Sequence, residues 1–314
     1  MKTRWSVALA IGILLAGILL TGVVKNRYLF FATYVILQYV TLATAWNILG
    51  GYTGYVNFGT PAFFAMGAYT SVFLVKAVKA PLLVLLAAGG LIPGLLGLGI
   101  GYLTLRLKGV FFSIATLAMA VVLQTMVVNW EYVGGAKGIN VIHPREVPFF
   151  DNYVEFLFVV MLGIAVGAVA VACWIERSWI GRGLAAIRDN EEAAECMGVP
   201  TLRLKLLATT VSGCLMGIAG APFPYYVTYV EPSSAFNLDY AVNSLAMPLI
   251  GGTTTWIGPV IGAVLLGTAQ QVATVTISSA LNLLIVGVVL VAFVILAPQG
   301  IVGLVRGLRA GRGA

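Results

Sequence analysis

Apolar runs of about 20 residues follow one another along almost the whole chain, separated by short polar connections. A helix of 20 residues rises ~30 Å, the thickness of a bilayer's hydrocarbon core, so each run is long enough to cross a membrane. The runs lie near 6–24, 28–49, 60–78, 82–105, 109–130, 153–175, 206–230, 258–277 and 281–297. A shorter apolar piece, 240–250, sits between a polar loop and Gly251-Gly252. Counting it gives about ten spans, the pattern of an all-α polytopic membrane protein in which residues 1–314 form one transmembrane domain. Composition agrees. With 60% hydrophobic and 9% charged residues, the chain has more apolar surface than a soluble core can hide. The run 6–24 exceeds the ~7–15 residues of a signal-peptide core and lacks a clear small-x-small cleavage site, so it reads as a retained first span.

Basic residues set the direction. Lys2, Arg4, Arg106, Lys108, Arg177, Arg182, Arg188, Arg203, Lys205, Arg306, Arg309 and Arg312 fall on one side; Lys25, Arg27, Lys76, Lys79, Lys137 and Arg145 fall on the other. The richer side is expected to be cytosolic, together with both termini and the loop 176–205, while the loop 131–152 faces outward. A net charge of +7 placed beside apolar spans orients the chain and implies no nucleic-acid partner. Cys173, Cys196 and Cys214 are isolated, and His143 lies in a polar loop beside Pro144, so no metal site is expected.

Two Gly-rich stretches interrupt the apolar pattern: "GGYTGYVNFG" (50–59) and "GGTTTWIGPVIG" (251–262). Irregular backbone at membrane depth is tolerated only where protein or a water-filled cavity satisfies it, so these stretches are candidates to line a pathway. Asn57, Thr60, Phe64, Asn243, Ser244, Gly251, Gly252 and Thr253 are the candidate residues. Close helix packing on small side chains is the alternative. The runs 28–49 and 206–230 point in opposite directions and each begins a four-span group followed by a Gly-rich break, the arrangement of inverted-repeat transporters. The spans contain no Asp, Glu, Lys, Arg or His at depth, which speaks against proton coupling. No GxxxxGK[ST] phosphate loop occurs either. The chain therefore reads as a passive channel or as a pore driven by a partner, with an ion-coupled carrier or a membrane scaffold as rivals.

The stretch "RDNEEAAECMG" (188–198) is unusually acidic for this chain. Asp189 as N-cap, Glu192 three residues on, and Gly198 and Pro200 as stop signals predict a short helix over 190–197. Two turns are marginal alone in water. The small residues Ala193 and Ala194 suit close docking into a groove; a solvated helix resting on the membrane surface is the other reading.

"EAAECMG" (192–198) resembles the EAAxxxG loop of ABC-importer permeases. More specifically, the chain is similar to the LivM-like permeases of branched-chain amino acid ABC transporters. "AWNILGGYTGYVNFGTPAFFAMGAYTS" (45–71), "LKGVFFSIATLAMAVVLQ" (107–124), "GGAKGI" (134–139), "SWIGRGLAAIRDNEEAAECMGVPTLRLKLLA" (178–208), "EPSSAFNLDYAVNSLAMPLIGGTTTWIGPVIGAVLLG" (231–267) and "PQGIVGL" (298–304) carry the likeness in order. The resemblance implies a fold of inverted repeats in a bacterial cytoplasmic (inner) membrane. It implies a coupling helix that docks into a cytosolic ATPase, carried here by Asp189, Glu192, Ala193, Ala194 and Gly198 with Arg182 and Arg188 beside them. It also implies a heterodimer with a second, related permease, two ATPase subunits that hold ATP and Mg, and an extracytoplasmic substrate-binding protein. This chain would hold no cofactor and catalyse nothing. The family's first signature usually reads Ser-Leu-Gly-His, where Asn57, Phe58, Gly59 and Thr60 stand, with Pro61 at the following Ala position. The solute is therefore open among branched-chain amino acids, amides, urea and aromatic acids.

Overall fold

The computed structural model describes residues 12, 14–19, 21, 26–142, 152–276, 282–296 and 300–304. His143, Arg145 and most of the expected first span lie outside these residues, although 14–19 are helical. The described chain is helical apart from one antiparallel pairing, Ile139 with Val230 and Asn140 with Tyr229. Seven described helices are long and apolar enough to cross a membrane, which makes this a multi-pass membrane protein.

The long helices are α1 (Arg27–Thr53), α2 (Thr60–Val78), α3 (Leu82–Thr104), α4 (Val110–Val128) and α5 (Tyr153–Arg177). Two short helices follow, α6 (Trp179–Asp189) and α7 (Glu191–Cys196). Then come α8 (Thr201–Gly220), α9 (Phe223–Val227), α10 (Pro232–Ala235), α11 (Asp239–Gly251), α12 (Ile257–Thr276) and α13 (Asn282–Leu296). At 13 residues α11 is ~20 Å long and does not cross a bilayer by itself.

Helix α8 lies at the centre, 67% buried over its apolar window, whereas α4 is only 22% buried there. Val110, Phe111, Ile114, Val121 and Val122 of α4 are all exposed, a face that belongs against hydrocarbon. The α3–α8 contact is the most extensive in the molecule. A Cβ on Gly217 would overlap the Gly89 carbonyl and the Pro93 ring, so glycine there sets the helix separation. The α2 helix joins the same contact, and a Cβ on Gly67 would overlap the Gly217 carbonyl.

Contacts at the helix ends fix directions. Phe30 packs on Phe158 at one end of the bundle, while Tyr52 reaches Glu176 at the other, so α1 and α5 run parallel. Lys205 of α8 meets Tyr55 at that second end, and Tyr226 beyond α8 stacks on Tyr34 at the first, so α8 runs opposite to α1. We call the end carrying α6 and α7 the loop end.

Two boundaries differ from the sequence reading. The first Gly-rich stretch does not stop α1 at residue 49: the helix continues through Gly50 and Gly51, and Gly54 ends it at φ 78°. Segment 54–59 joins α1 to α2, as the separate runs 28–49 and 60–78 imply. It turns the chain back, because α2 runs opposite to α1. The span placed at 206–230 begins earlier, at Thr201, and gives way to α9 after Gly220. Its first turn, with Arg203 and Lys205, is too polar to register as part of an apolar run.

Candidate functional site

The site is built at the loop end, from α6 and α7 inward. Ser178 caps α6 by accepting a hydrogen bond from the Gly181 N–H. Ile180, Leu184 and Ile187 recur at helical spacing and are buried, seating α6 on the bundle. The N-cap of α7 is Asn190, one residue later than the sequence reading placed it. Its side chain accepts from the Ala193 N–H at 3.0 Å. Asp189 is the last residue of α6 and lies 3.4 Å from Arg188. The expected Asp189–Glu192 capping box is thus absent; Glu192 reaches Lys108 instead, at 3.2 Å. Gly198 closes the helix at φ 85°, a backbone region that L side chains rarely adopt. Ala194 is buried, while Glu192, Ala193 and Glu195 are exposed.

Beneath α7 lies a closed polar triangle. Lys205 Nζ is 2.6 Å from Glu191 Oε1, and the two side chains are only 4% and 15% exposed. The same Nζ donates to Tyr55 Oη at 3.1 Å and to the Leu105 carbonyl at 3.4 Å. Tyr55 Oη donates to Glu191 Oε2 at 2.5 Å. Phe112 meets the Tyr55 ring edge-on at 5.2 Å and excludes water from one side. Burial alone would raise the Glu191 carboxyl, but hydrogen bonds from Lys205 and Tyr55 and the nearby lysine charges hold it below its ordinary value. Removing one partner of a buried pair typically costs ~3–5 kcal/mol, because the other charge is stranded. The Lys108–Glu192 pair is different in kind: both side chains are solvent-exposed, and the Glu192 hydrogen bond raises the Lys108 ammonium.

Tyr55 belongs to segment 54–59, several of whose backbone groups are held by side chains of the bundle. Trp46 Nε1 donates to the Asn57 carbonyl at 2.8 Å. Ser113 Oγ donates to the Val56 carbonyl at 2.8 Å, and the Phe58 N–H donates to Thr116 Oγ1 at 3.1 Å. Asn57 Oδ1 accepts from the Gly59 N–H at 2.7 Å. Irregular backbone is held this way wherever lipid cannot solvate it.

The two Gly-rich stretches meet. A Cβ on Gly51 would come within 2.7 Å of the Thr253 carbonyl oxygen, so only glycine permits the approach. Glu176, at the end of α5, ties both sides: its Oε2 accepts from Tyr52 Oη at 3.4 Å and from the Trp256 N–H at 2.5 Å. Gly251 and Gly258 pack backbone to backbone in the turn that joins α11 to α12.

The pathway candidates fall into separate groups. Gly251, Gly252 and Thr253 lie at the meeting of the two stretches, while Asn57 is held within segment 54–59 and Thr60 opens α2. Phe64, Asn243 and Ser244 lie deeper. The Phe64 ring is 4.4 Å from Tyr240. Asn243 accepts from Gln270 Nε2 at 2.8 Å and donates to the Asp239 carbonyl, and Ser244 Oγ donates to the Tyr240 carbonyl. Thr60 Oγ1 and Asn47 Oδ1 are buried without a hydrogen-bond partner. Of the coupling candidates, Arg182 and Arg188 border a small cavity with Tyr52, Glu176 and Thr254. A wider groove of roughly 360 Å³ runs between α6 and the end of α7, lined by Trp179, Arg182, Met197, Gly198 and Leu204 among others. Trp179 and Met197 there are exposed apolar side chains.

Sequence reasoning missed Tyr55, Glu176 and Lys205. One signal was present: Thr201, Lys205, Thr209 and Ser212 recur at helical spacing on the buried face of α8.

The family model described as the permease component of branched-chain amino acid transport systems matches residues 28–294. The high-affinity branched-chain amino acid transport permease LivM of Salmonella typhimurium is 28% identical over 294 residues, covering 85% of this chain and 68% of that protein. A probable branched-chain amino acid transport permease, LivH of Methanocaldococcus jannaschii, is 24% identical over 80% of this chain and 84% of its own length. The L-arabinose ABC transporter permease AraH of Azospirillum brasilense is 27% identical over 59% of this chain and 55% of its own. No solved structure matches.

Proposed function

This chain belongs to the family of permease components of branched-chain amino acid transport systems, a transport component and not an enzyme, and from that premise we propose that it is the membrane-spanning subunit of an ATP-driven importer. Its solute is a branched-chain amino acid or a related small polar, amino-acid-like molecule. Relatives named for arabinose and for branched-chain amino acids both align with it, which supports the class of machine more than the solute.

One observation carries the reading: a short, capped, largely exposed helix, α7, is fastened to α8 by a buried ion pair and to the bundle's irregular segment by the Tyr55 hydroxyl. Nothing in the fold of a lone channel calls for this. We assign α7 as the coupling helix, with the exposed Glu192 and Ala193 facing an ATPase subunit and Gly198 setting its end. Arg182, Trp179 and Met197 flank the groove beside it. Two ATPase subunits would hold ATP and Mg, a second permease would complete the pore, and an extracytoplasmic protein would deliver the solute. The loop end would face the cytosol of a bacterial inner membrane, with ten spans in inverted repeats and both termini on that side. The opposed directions of α1 and α8 support the repeat.

ATP-driven closure of the partners would move α7 and alternate access to the pore. The test is assembly: Glu192→Arg or Gly198→Val should insert normally but lose co-purification with ATPase subunits and lose uptake. Unchanged ATP-driven uptake would overturn the assignment of α7.

A further inference from the structure

We propose that Lys205 is a positioning residue that makes α7 and segment 54–59 move as one body, so that displacement of the loop helix reaches the irregular segment without slip. The inference rests on the permease reading above and adds to it the part that transmits motion.

Lys205 is poorly supplied with opposite charge. It is a cation on the most buried long helix, and its side chain is almost fully enclosed. Among the described residues Glu191 is the only carboxylate that it bonds; its other partners are the Tyr55 hydroxyl and the Leu105 carbonyl. A departing α7 would take Glu191 away and leave a buried ammonium facing two neutral oxygens. The Tyr55 hydroxyl would lose its acceptor in the same step. Separation is therefore penalised at both ends, whereas joint movement preserves every contact.

Among the described residues, the other polar attachments of α7 do not reach the irregular segment. Lys108 and Glu192 pair in solvent, where water replaces either partner. Glu195 bonds Thr201 within the same connection, at 2.5 Å. Among the hydrogen bonds and ion pairs of the described residues, the triangle alone joins α7 to segment 54–59, and Tyr55 stands two residues from Asn57, whose carbonyl is held by Trp46. A load on α7 thus passes through Lys205 to the first turns of α8 and through Tyr55 to segment 54–59.

The test uses the assembled transporter in vesicles, with ATP hydrolysis and solute uptake measured on the same preparation. The variants are Lys205→Met, Glu191→Gln, Tyr55→Phe and the exchanged pair Glu191→Lys with Lys205→Glu. Coupling between sites is typically worth ~5–150-fold. Lys205→Met and Glu191→Gln should keep hydrolysis within about twofold while uptake per ATP falls by about tenfold or more. Tyr55→Phe should fall between them and the wild type, and the exchanged pair should recover part of the ratio. A purely structural pair predicts hydrolysis and uptake falling together, with uptake per ATP unchanged; that result would overturn the proposal. If Lys205→Met fails to assemble, Tyr55→Phe decides, because it keeps both charges. Failure of the permease reading is separately visible as a wild-type assembly that shows no ATP-dependent uptake.

Discussion

Glu176 accepts a hydrogen bond from the Trp256 backbone N–H at 2.5 Å, joining the end of α5 to the turn before α12. The same oxygen accepts from Tyr52 near the end of α1. One carboxylate thus holds the two Gly-rich stretches against each other, where Gly51 and Thr253 already touch. Glu176→Gln keeps a carbonyl-type acceptor and should retain most uptake. Glu176→Ala leaves the Trp256 N–H without its partner, a loss worth ~1–3 kcal/mol where water is excluded. It should lower the thermal midpoint and reduce uptake more than Gln does. Equal behaviour of the two variants, measured by uptake and thermal unfolding in detergent, would contradict this role.

The backbone contact between the stretches also tests whether they separate during transport. In a background without the native cysteines, Tyr52→Cys with Trp256→Cys, one on each side, should be bridged by a bifunctional methanethiosulfonate, which should block uptake until it is reduced. Uptake indifferent to the cross-link would mean that the contact is static packing.

The spans were legible in the sequence because lipid imposes a length and a polarity on each, and α2, α3, α4 and α5 fall within a few residues of their apolar runs. Helix α7 was legible because cap and stop residues act locally, as Gly198 and Pro200 show. The cap itself was placed one residue early, since Asp189 and Asn190 are both competent and only the end of α6 decides between them. The triangle was not legible. Tyr55 and Lys205 are 150 residues apart, and local patterning carries no information about which distant hydroxyl a lysine will meet. Glu176 escaped notice for the same reason, 80 residues from Trp256.

The Glu191–Lys205 pair predicts a pH dependence of stability. The folded state holds the Glu191 carboxyl below its ordinary value, so folding favours the ionised form. The pair's contribution is complete above the ordinary carboxylate range and is lost as pH falls through the lowered value. Thermal midpoints of the wild type and Glu191→Gln should therefore differ at neutral pH and converge only in acid below that range. A gap that stays constant into strong acid would show that the carboxylate charge is not the source.

Helix separation in the centre depends on Gly217. A valine there would drive its side chain into the Gly89 carbonyl and Pro93. Overpacking of this kind costs ~1–3 kcal/mol or more where backbone must move. Gly217→Val should insert yet unfold at lower temperature in detergent, whereas Gly167→Val, with open space around it, should not.

The central claim is that this chain is a pore moved by a partner. The direct measurement is solute uptake into vesicles containing the chain with its second permease, with and without ATPase subunits, and with the extracytoplasmic binding protein present throughout. Accumulation against a gradient should occur only when ATP and the ATPase subunits are both supplied. Equal uptake by the permease chains without ATPase subunits would contradict it.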